Sequence, residues 1–534
     1  MSRTLTRFAP SLLTIAFCIF TFGTAGLAQQ SKLGTVNFPT SGSKAAQPHF
    51  IQGLAALHSF WFEEALDAFR ESTKADPDFM MGYWGEAMAH NHPLWAQQDT
   101  EAARKVLKNI REIDKLTPRE RAYLNAVKIL YGEGDKLARD IAYSKAMEKI
   151  YLAYPDDLEA AAFYSLSLLG TVRPGDTGFA RQMKAGAIAL DIYEKNRNHP
   201  GAAHYIIHSF DDPEHAILAL PAARRYAEIA PEAHHARHMP SHIFLQLGMW
   251  TEAAASNESS WAASDAWVKR KSLSVTLRDY HSLTWLTYVY LQQNRYSKAE
   301  ELLGVMRGAL KESDDMRMRR AYVDMATMFT LETERWDSLA KLLEDVALTA
   351  PAPSAPTEAS GEHAHGAAPA PAAAPATPQG YGRGAGAPRV AFARGMAAAG
   401  KGDFDAADKY IAQLEALRKR ISESGEGGYQ AKLAEIMEFD VSAMTSAGRG
   451  KYDDAIEMLK KAVALEESLS PPSGPPDVIK PSHELLGEIL LRAGRPKEAA
   501  RQFARALERQ PNRARSLLGA AKAAEQSGEK AAAQ

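Results

Sequence analysis

The feature that most constrains the fold of this chain is a helical pattern that returns along most of its 534 residues. The stretch "GLAALHSFWFEEALDAFRESTKADP" is the first full example. It contains Gly53, Phe62, Ala65, Phe69 and Pro77. Small residues at helical spacing let two helices approach closely, and the proline ends the second helix. The pattern therefore predicts a pair of short packed helices.

The same spacing recurs at five further places in the chain. They contain Gly248, Trp250 and Ala253; Tyr296 and Ala299; Gly402, Phe404 and Ala407; Gly450, Tyr452, Ala455 and Ala462; and Gly487, Gly494, Ala499, Phe503, Ala506 and Pro511. This set resembles the tetratricopeptide repeat (TPR) superfamily, whose unit is a helix–turn–helix of about 34 residues. The resemblance, in particular to a secreted bacterial TPR-containing protein, implies an all-α fold. We expect a TPR-like α-solenoid in which each helix pair buries its apolar face against its neighbours.

The N-terminus has the pattern of a secretory signal peptide. Arg3 and Arg7 precede the apolar run "SLLTIAFCIFTFGTAG", and small residues precede a predicted cleavage site after Ala28. An uncleaved anchor is the alternative, although the apolar run is short for a membrane span. The only cysteine, Cys18, lies in this run, so the mature chain has no thiolate ligand and no disulfide. We expect a periplasmic or secreted protein with no membrane span after cleavage.

A second segment without helical periodicity divides the repeats. Residues 350–388 are rich in alanine, proline and glycine, which predicts a disordered linker. The predicted organisation is a signal peptide (1–28), a flexible N-terminal segment (29–47), an N-terminal array (48–349), the linker, and a C-terminal array (389–534). The 63 basic and 65 acidic residues nearly cancel, so no nucleic-acid partner is expected.

Histidines are concentrated in two places that are related by the repeat. His204 and His208 are spaced i, i+4, and so are His238 and His242, exactly one 34-residue unit later in the chain. In the TPR register all four lie on first helices, which the resemblance places on the concave face. Pro240 leaves one question open, because a helix that starts near residue 237 keeps the second pair on one face, whereas a kink changes their angle.

These histidines predict a transition-metal site. Two histidines at i, i+4 are a common way for a helix to hold a metal, and imidazole suits copper, zinc and iron. Asp211, Asp212 and Asp279 are candidate oxygen donors, and the number of histidines is sufficient for two ions. The predicted ligands are His204, His208, His235, His238, His242 and His281, with His92 as a weaker candidate.

A binding groove without metal is the competing interpretation. In it the histidines are ordinary polar contacts among the groove residues Tyr205, Phe244, Trp285 and Tyr288, or traces of a duplicated repeat. No GxSxG or HExxH motif is present, so no catalytic residue is assigned and enzymatic activity is left open. The two hypotheses are an extracytoplasmic TPR scaffold that binds a peptide, protein or small ligand in its concave groove, and a metalloprotein or metalloenzyme with a multi-histidine site on adjacent helices.

Overall fold

A computed structural model gives the structure of this protein. It describes residues 32–111, 113–173, 175–176, 178–313, 315–344, 346, 386–424 and 428–529. The predicted signal peptide and residues 350–385 of the predicted linker lie outside this part of the chain. Helices dominate the described residues, and one antiparallel pair of two-residue strands joins β1 (Asn91–His92) to β2 (Gln97–Gln98). The prediction of an all-α, TPR-like solenoid is confirmed.

The described helices fall on both sides of the undescribed stretch at 347–385. Before it lie α1 (Gln47–His58), α2 (Phe62–Ala75), α3 (Met80–Ala89), α4 (Thr100–Leu107), α5 (Pro118–Leu130), α6 (Lys136–Ala153), α7 (Leu158–Leu169), α8 (Ala180–Lys195), α9 (Pro200–Ser209), α10 (Ala216–Ile229), α11 (His234–His238), α12 (Pro240–Gln246), α13 (Trp250–Arg270), α14 (Tyr280–Gln292), α15 (Tyr296–Glu312), α16 (Met316–Thr333) and α17 (Ser338–Leu343). After it lie α18 (Gly386–Lys401), α19 (Phe404–Glu423), α20 (Gly428–Gly448), α21 (Tyr452–Glu467), α22 (Ser482–Arg492), α23 (Pro496–Arg509) and α24 (Ala514–Gln526). Short 3-10 helices occupy Pro93–Trp95, Ile113–Lys115 and Val275–Leu277.

Successive helices pack against each other along the chain, as a solenoid requires. Helix α16 packs against α18, so the array continues from the first part of the chain into the second. On the inner side α7 contacts α9 and α9 contacts α12, while α1 also reaches α9. Helix α9 therefore lies between α1, α7 and α12. No helix of the described residues combines the length and apolarity needed to cross a membrane.

The small residues of the repeat allow the aromatic residues to fill the space between helices. Phe69 on α2 lies against Gly53 and Gly85, where an added Cβ would come within 2.8 Å and 2.3 Å of the ring. Phe503 on α23 lies equally close to Gly487. A larger side chain at these glycines would push the helices apart, which explains why the sequence pattern repeats.

The segment before α1 is held against the array. Leu33, Val36 and Phe38 are buried, and the amide of Thr35 donates to the carbonyl of Asn198 at 2.8 Å. The sequence predicts a flexible segment at residues 29–47. Over the described part of that segment, burial of three apolar side chains provides the order that helix propensity does not.

The C-terminal part of the array folds back onto the N-terminal part. Gln246 donates through Nε2 to the carbonyl of Pro472 at 2.8 Å, and Trp250 donates through Nε1 to the carbonyl of Asn512 at 2.8 Å. The proline-rich loop between α21 and α22, here called the 470–477 loop, thus lies against the end of α12. Part of the inner face is covered by the chain itself.

A buried ion cluster joins the two parts. Arg513 is fully buried, and it lies 2.8 Å from both Glu484 and Glu332 and donates to the hydroxyl of Tyr288 at 3.0 Å. Burial alone would raise the pKa of Glu484, but the charges of Arg513 and Lys480 outweigh it and hold that pKa well below its usual range. The carboxylate of Glu484 is therefore ionised throughout the ordinary pH range.

Replacing Arg513 with methionine is predicted to reduce the free energy of unfolding by about 3–5 kcal/mol, because the buried carboxylates of Glu332 and Glu484 each lose an ion-pair partner. Urea denaturation followed by circular dichroism measures the loss. The control is Arg505→Met, which removes an exposed partner of Glu508 and changes stability by no more than about 1 kcal/mol. Equal effects of the two substitutions would contradict this account of the interface.

Candidate metal centre

Helix α9 begins in a way that fixes the first histidine pair. His199 caps the helix by accepting a hydrogen bond at Nδ1 from the amide of Ala202 at 3.0 Å. Pro200 occupies the first helical position, where its missing amide is not needed. His204 and His208 then follow one turn apart.

The second pair lies on either side of a helix boundary. Helix α11 ends at His238 and α12 begins at Pro240, with Met239 between them. The proline lies in the first turn of α12, where it breaks no helical hydrogen bond. Despite the boundary, His238 and His242 approach within 3.1 Å at their Nε2 atoms. The open question about Pro240 is resolved in favour of a shared face.

Six of the seven predicted ligands form two groups of three. Triad A consists of His204, His208 and His235, and triad B of His238, His242 and His281. Within each triad one nitrogen from every ring lies within 4.8 Å of the other two. Triad A draws on α9 and α11, and triad B on α11, α12 and α14.

The two triads are neighbours. The rings of His208 and His242 are 5.7 Å apart between centroids, and those of His235 and His238 are 6.0 Å apart. In triad A, the Nε2 atom of His204 lies 3.1 Å from that of His208 and 3.2 Å from that of His235. The arrangement is therefore one cluster with two centres of convergence.

Hydrogen bonds on the outer side fix the tautomer of the rings. Nδ1 of His204 lies 2.7 Å from the backbone carbonyl of His58, which can only accept. Nδ1 of His242 lies 2.6 Å from the carboxylate of Asp211. Nδ1 of His238 lies 2.7 Å from Oδ1 of Asn257, whose amide nitrogen donates elsewhere, to a carbonyl on α13. In each neutral ring Nδ1 carries the proton, and Nε2 presents a lone pair to the cluster.

These tautomers place two lone pairs against each other in triad B. His238 and His242 both use Nδ1 as a donor, so neither Nε2 carries a hydrogen in the neutral rings. Their separation of 3.1 Å is a hydrogen-bond distance with no hydrogen to share. A cation between the two nitrogens removes this repulsion, and histidine ligands with such outer partners are typical of metal sites.

Burial lowers the pKa values of the histidines in the cluster and so disfavours a proton as the cation between them. Burial lowers the pKa of His204 to about 3 and that of His281 to about 4. Burial, and then the neighbouring histidines, also lower the pKa values of His208, His235 and His238. These five rings are thus neutral at physiological pH, which is the state that binds metal.

Aromatic side chains enclose the cluster on both sides. The ring of Trp285 lies 4.2 Å from that of His242 and 5.0 Å from that of His238. Phe60 lies 4.3 Å from His204, and its backbone has a positive φ of 52°. That conformation is strained for a bulky residue, and it is maintained where the aromatic ring covers triad A.

A third group lies behind triad A and has a different character. Glu159 is fully buried, with Nε2 of His58 at 2.7 Å and Nε2 of His199 at 3.3 Å. The other nitrogen of His58 faces the hydroxyl of Tyr205 at 2.8 Å, and that of His199 caps α9. All four ring nitrogens therefore already face protein partners. This group supports the backbone of residue 58 and, through it, His204.

A cavity of about 380 Å³ adjoins both triads. His208 and His235 of triad A and His242 and His281 of triad B line it. Its other walls are formed by Trp285, the turn before α8 and the 470–477 loop. The volume is that of a site for a small molecule.

The remaining predicted residues are distributed differently. Trp285 lines the cavity, whereas Tyr205, Phe244 and Tyr288 are packed in the hydrophobic cores. His92 lies outside both triads, stacked on Phe62 at 3.9 Å.

The three aspartates that were candidate oxygen donors contact histidines or cap a helix. Asp211 bonds the outer nitrogen of His242, Asp212 pairs with His215, and Asp279 caps α14 and lies 3.4 Å from His234. The sequence did not single out Phe60 or Asn257, because a lone aromatic residue in a turn and a lone asparagine on a helix have no characteristic spacing.

Comparisons with known proteins give fold-level similarity only. No protein-family model matches the chain, and no curated protein matches it. Similar solved structures include yeast Tom70 (11% identity over 92% of this chain and 90% of that one, TM-score 0.35) and a Rap protein complexed with competence and sporulation factor (15% identity over 71% and 99%, TM-score 0.36). The Cut9–Hcn1 hetero-tetramer matches at 11% identity over 92% and 78%, with a TM-score of 0.36. At these TM-scores no function is transferred.

The stability of the metal-free protein is predicted to fall as the pH falls below about 6.5. In the unfolded chain the histidines titrate near 6.5, whereas His204 and His281 stay neutral down to about pH 3 and 4 in the folded state. Between these values the unfolded chain binds more protons, so each such histidine removes about 1.4 kcal/mol of stability per pH unit. This contribution is fully present above pH 6.5.

Urea denaturation of metal-free protein between pH 7.5 and 5 checks this dependence. A His281→Gln variant should show a slope smaller by about 1 kcal/mol per pH unit, because glutamine does not titrate. An unchanged slope would contradict the neutral, buried state of this ring.

Proposed function

We propose that this protein is a TPR-like scaffold that binds two transition-metal ions on its inner face, one in each histidine triad. The observation that carries the proposal is the approach of the Nε2 atoms of His238 and His242 to 3.1 Å. Their outer nitrogens are committed as donors to Asn257 and Asp211. Triad A supplies a second set of three nitrogens beside the first.

The donor set favours copper. Each triad offers three imidazole nitrogens, and the three nearby aspartates bind histidines or cap a helix. Non-haem iron sites usually include a carboxylate ligand, so iron fits less well. Three histidines also suit zinc, but copper has the higher intrinsic affinity for nitrogen sites. Copper is therefore our first candidate and zinc the second.

The position of the cavity supports binding of a small ligand beside the ions. Two ligands from each triad line it, so a molecule in the cavity has access to both metal positions. When bound, a pair of cuprous ions supplies two electrons to dioxygen, which places oxidation among the reactions such a centre supports. Trp285 and the 470–477 loop line the cavity and narrow the access to it.

The scaffold hypothesis is retained within this proposal. A TPR-like array forms a concave inner face, and here that face binds metal and a small ligand. A peptide or protein partner is a second candidate, suggested by the TPR-like fold alone. Next to the triads, the 470–477 loop occupies the part of the inner face where such a partner would bind. We also propose an extracytoplasmic location, on the signal-peptide pattern of residues 1–28.

Protein produced without a histidine tag in copper-supplemented medium is predicted to contain about two equivalents of copper per chain, measured by elemental analysis. The double variant His208→Ala/His235→Ala should retain about one equivalent, held by triad B. The variant His238→Ala/His242→Ala should likewise retain the ion of triad A.

The matched control is His483→Gln, which changes a buried histidine of the C-terminal array and leaves both equivalents in place. If protein from medium that contains both metals binds two equivalents of zinc, the two-metal centre is supported and the choice of copper is wrong. No bound metal, or two ions in both double variants, would refute the metal centre and favour the groove interpretation.

A further inference from the structure

A second, smaller cavity adjoins the histidine cluster. Its volume is about 70 Å³. His235 of triad A and His281 of triad B line both this cavity and the larger one, as does Trp95. The metal-binding rings therefore separate two spaces, and the smaller one also contains His92.

His92 presents an unused acceptor there. Its side chain is buried, with the residue 4% exposed, and its Nε2 has no hydrogen-bond partner among the described residues. The hydrogen bond to the carbonyl of Ala89 therefore involves Nδ1, so Nδ1 carries the proton and Nε2 a lone pair. Stacking on Phe62 at 3.9 Å fixes the ring. A buried acceptor without a partner is destabilising unless a ligand or water satisfies it.

The size and walls of this cavity select its occupant. A space of this size is large enough to hold ordered water. Ordered water needs two to four polar partners. Glu63, His234 and Asp279 line the cavity with His92 and provide them. Phe60 and Met318 are among the apolar residues of its wall.

We propose that the small cavity is a water site of the metal centre, in which Nε2 of His92 accepts a hydrogen bond from water that reaches the ions between His235 and His281. This proposal rests on the proposed metal centre. His92 then acts as a positioning residue and not as a ligand. The larger cavity then remains free for the small ligand of the proposed function. Water and that ligand approach the ions from different sides.

The direct experiment is a crystal structure of the copper-loaded protein at about pH 7, compared with His92→Phe. We expect one water within hydrogen-bond distance of Nε2 and connected to an ion. In His92→Phe this water is absent, while copper content is unchanged. The control is His90→Phe, which alters a neighbouring buried histidine that lines neither cavity and leaves the water in place.

A second measurement uses cobalt(II)-substituted protein, whose visible spectrum reports ionisation of metal-bound water. A hydrogen-bond acceptor favours the protonated form of that water, so His92→Phe should lower the midpoint by about 0.5–1 pH unit. A dry small cavity, water that does not connect to an ion, or an unchanged midpoint would overturn the proposal. Water at Nε2 in a protein that takes up no metal would refute the proposed function while supporting hydration of the cavity.

Discussion

The candidate site depends on a close approach of two buried imidazoles that the fold itself enforces. His238 and His242 face each other because their outer nitrogens are committed to Asn257 and Asp211, and burial keeps the neighbouring rings unprotonated. Such an arrangement is unfavourable without a cation, since lone pairs repel and the burial of unsatisfied nitrogens is costly. The packing of the neighbouring helices nevertheless holds these nitrogens together, which is the basis of the proposal that a pair of metal ions binds here.

The repeat architecture supplies this geometry through its regular spacing. His204 and His238 occupy equivalent positions of consecutive units, so adjacent inner helices bring their side chains to one place. The residues that surround the histidines differ between the two triads. Triad A is supported by a backbone carbonyl and by Phe60, whereas triad B is supported by Asp211, Asn257 and Trp285. An anionic outer partner strengthens a histidine ligand, so the two positions are expected to differ in affinity.

Much of the fold and of the histidine cluster could be predicted from the sequence, because both have a periodicity. The helical pairs follow from small and aromatic residues at fixed spacing, and the six clustered histidines follow from i, i+4 spacing and the 34-residue recurrence. The division into two triads could not be derived, because it depends on the rotation between α11, α12 and α14. The return of the 470–477 loop depends on the curvature of the whole array, and the role of Asp211 depends on which histidine nitrogen it reaches.

Anomalous X-ray diffraction from copper-loaded crystals, measured at energies on both sides of the copper absorption edge, tests the central claim most directly. The account predicts two strong copper peaks, one among the Nε2 atoms of His204, His208 and His235 and one within triad B. A single peak, or the absence of copper from both triads, would contradict a dinuclear centre. A peak at Glu159 with His58 and His199 would show that the third group, and not the two triads, binds the metal.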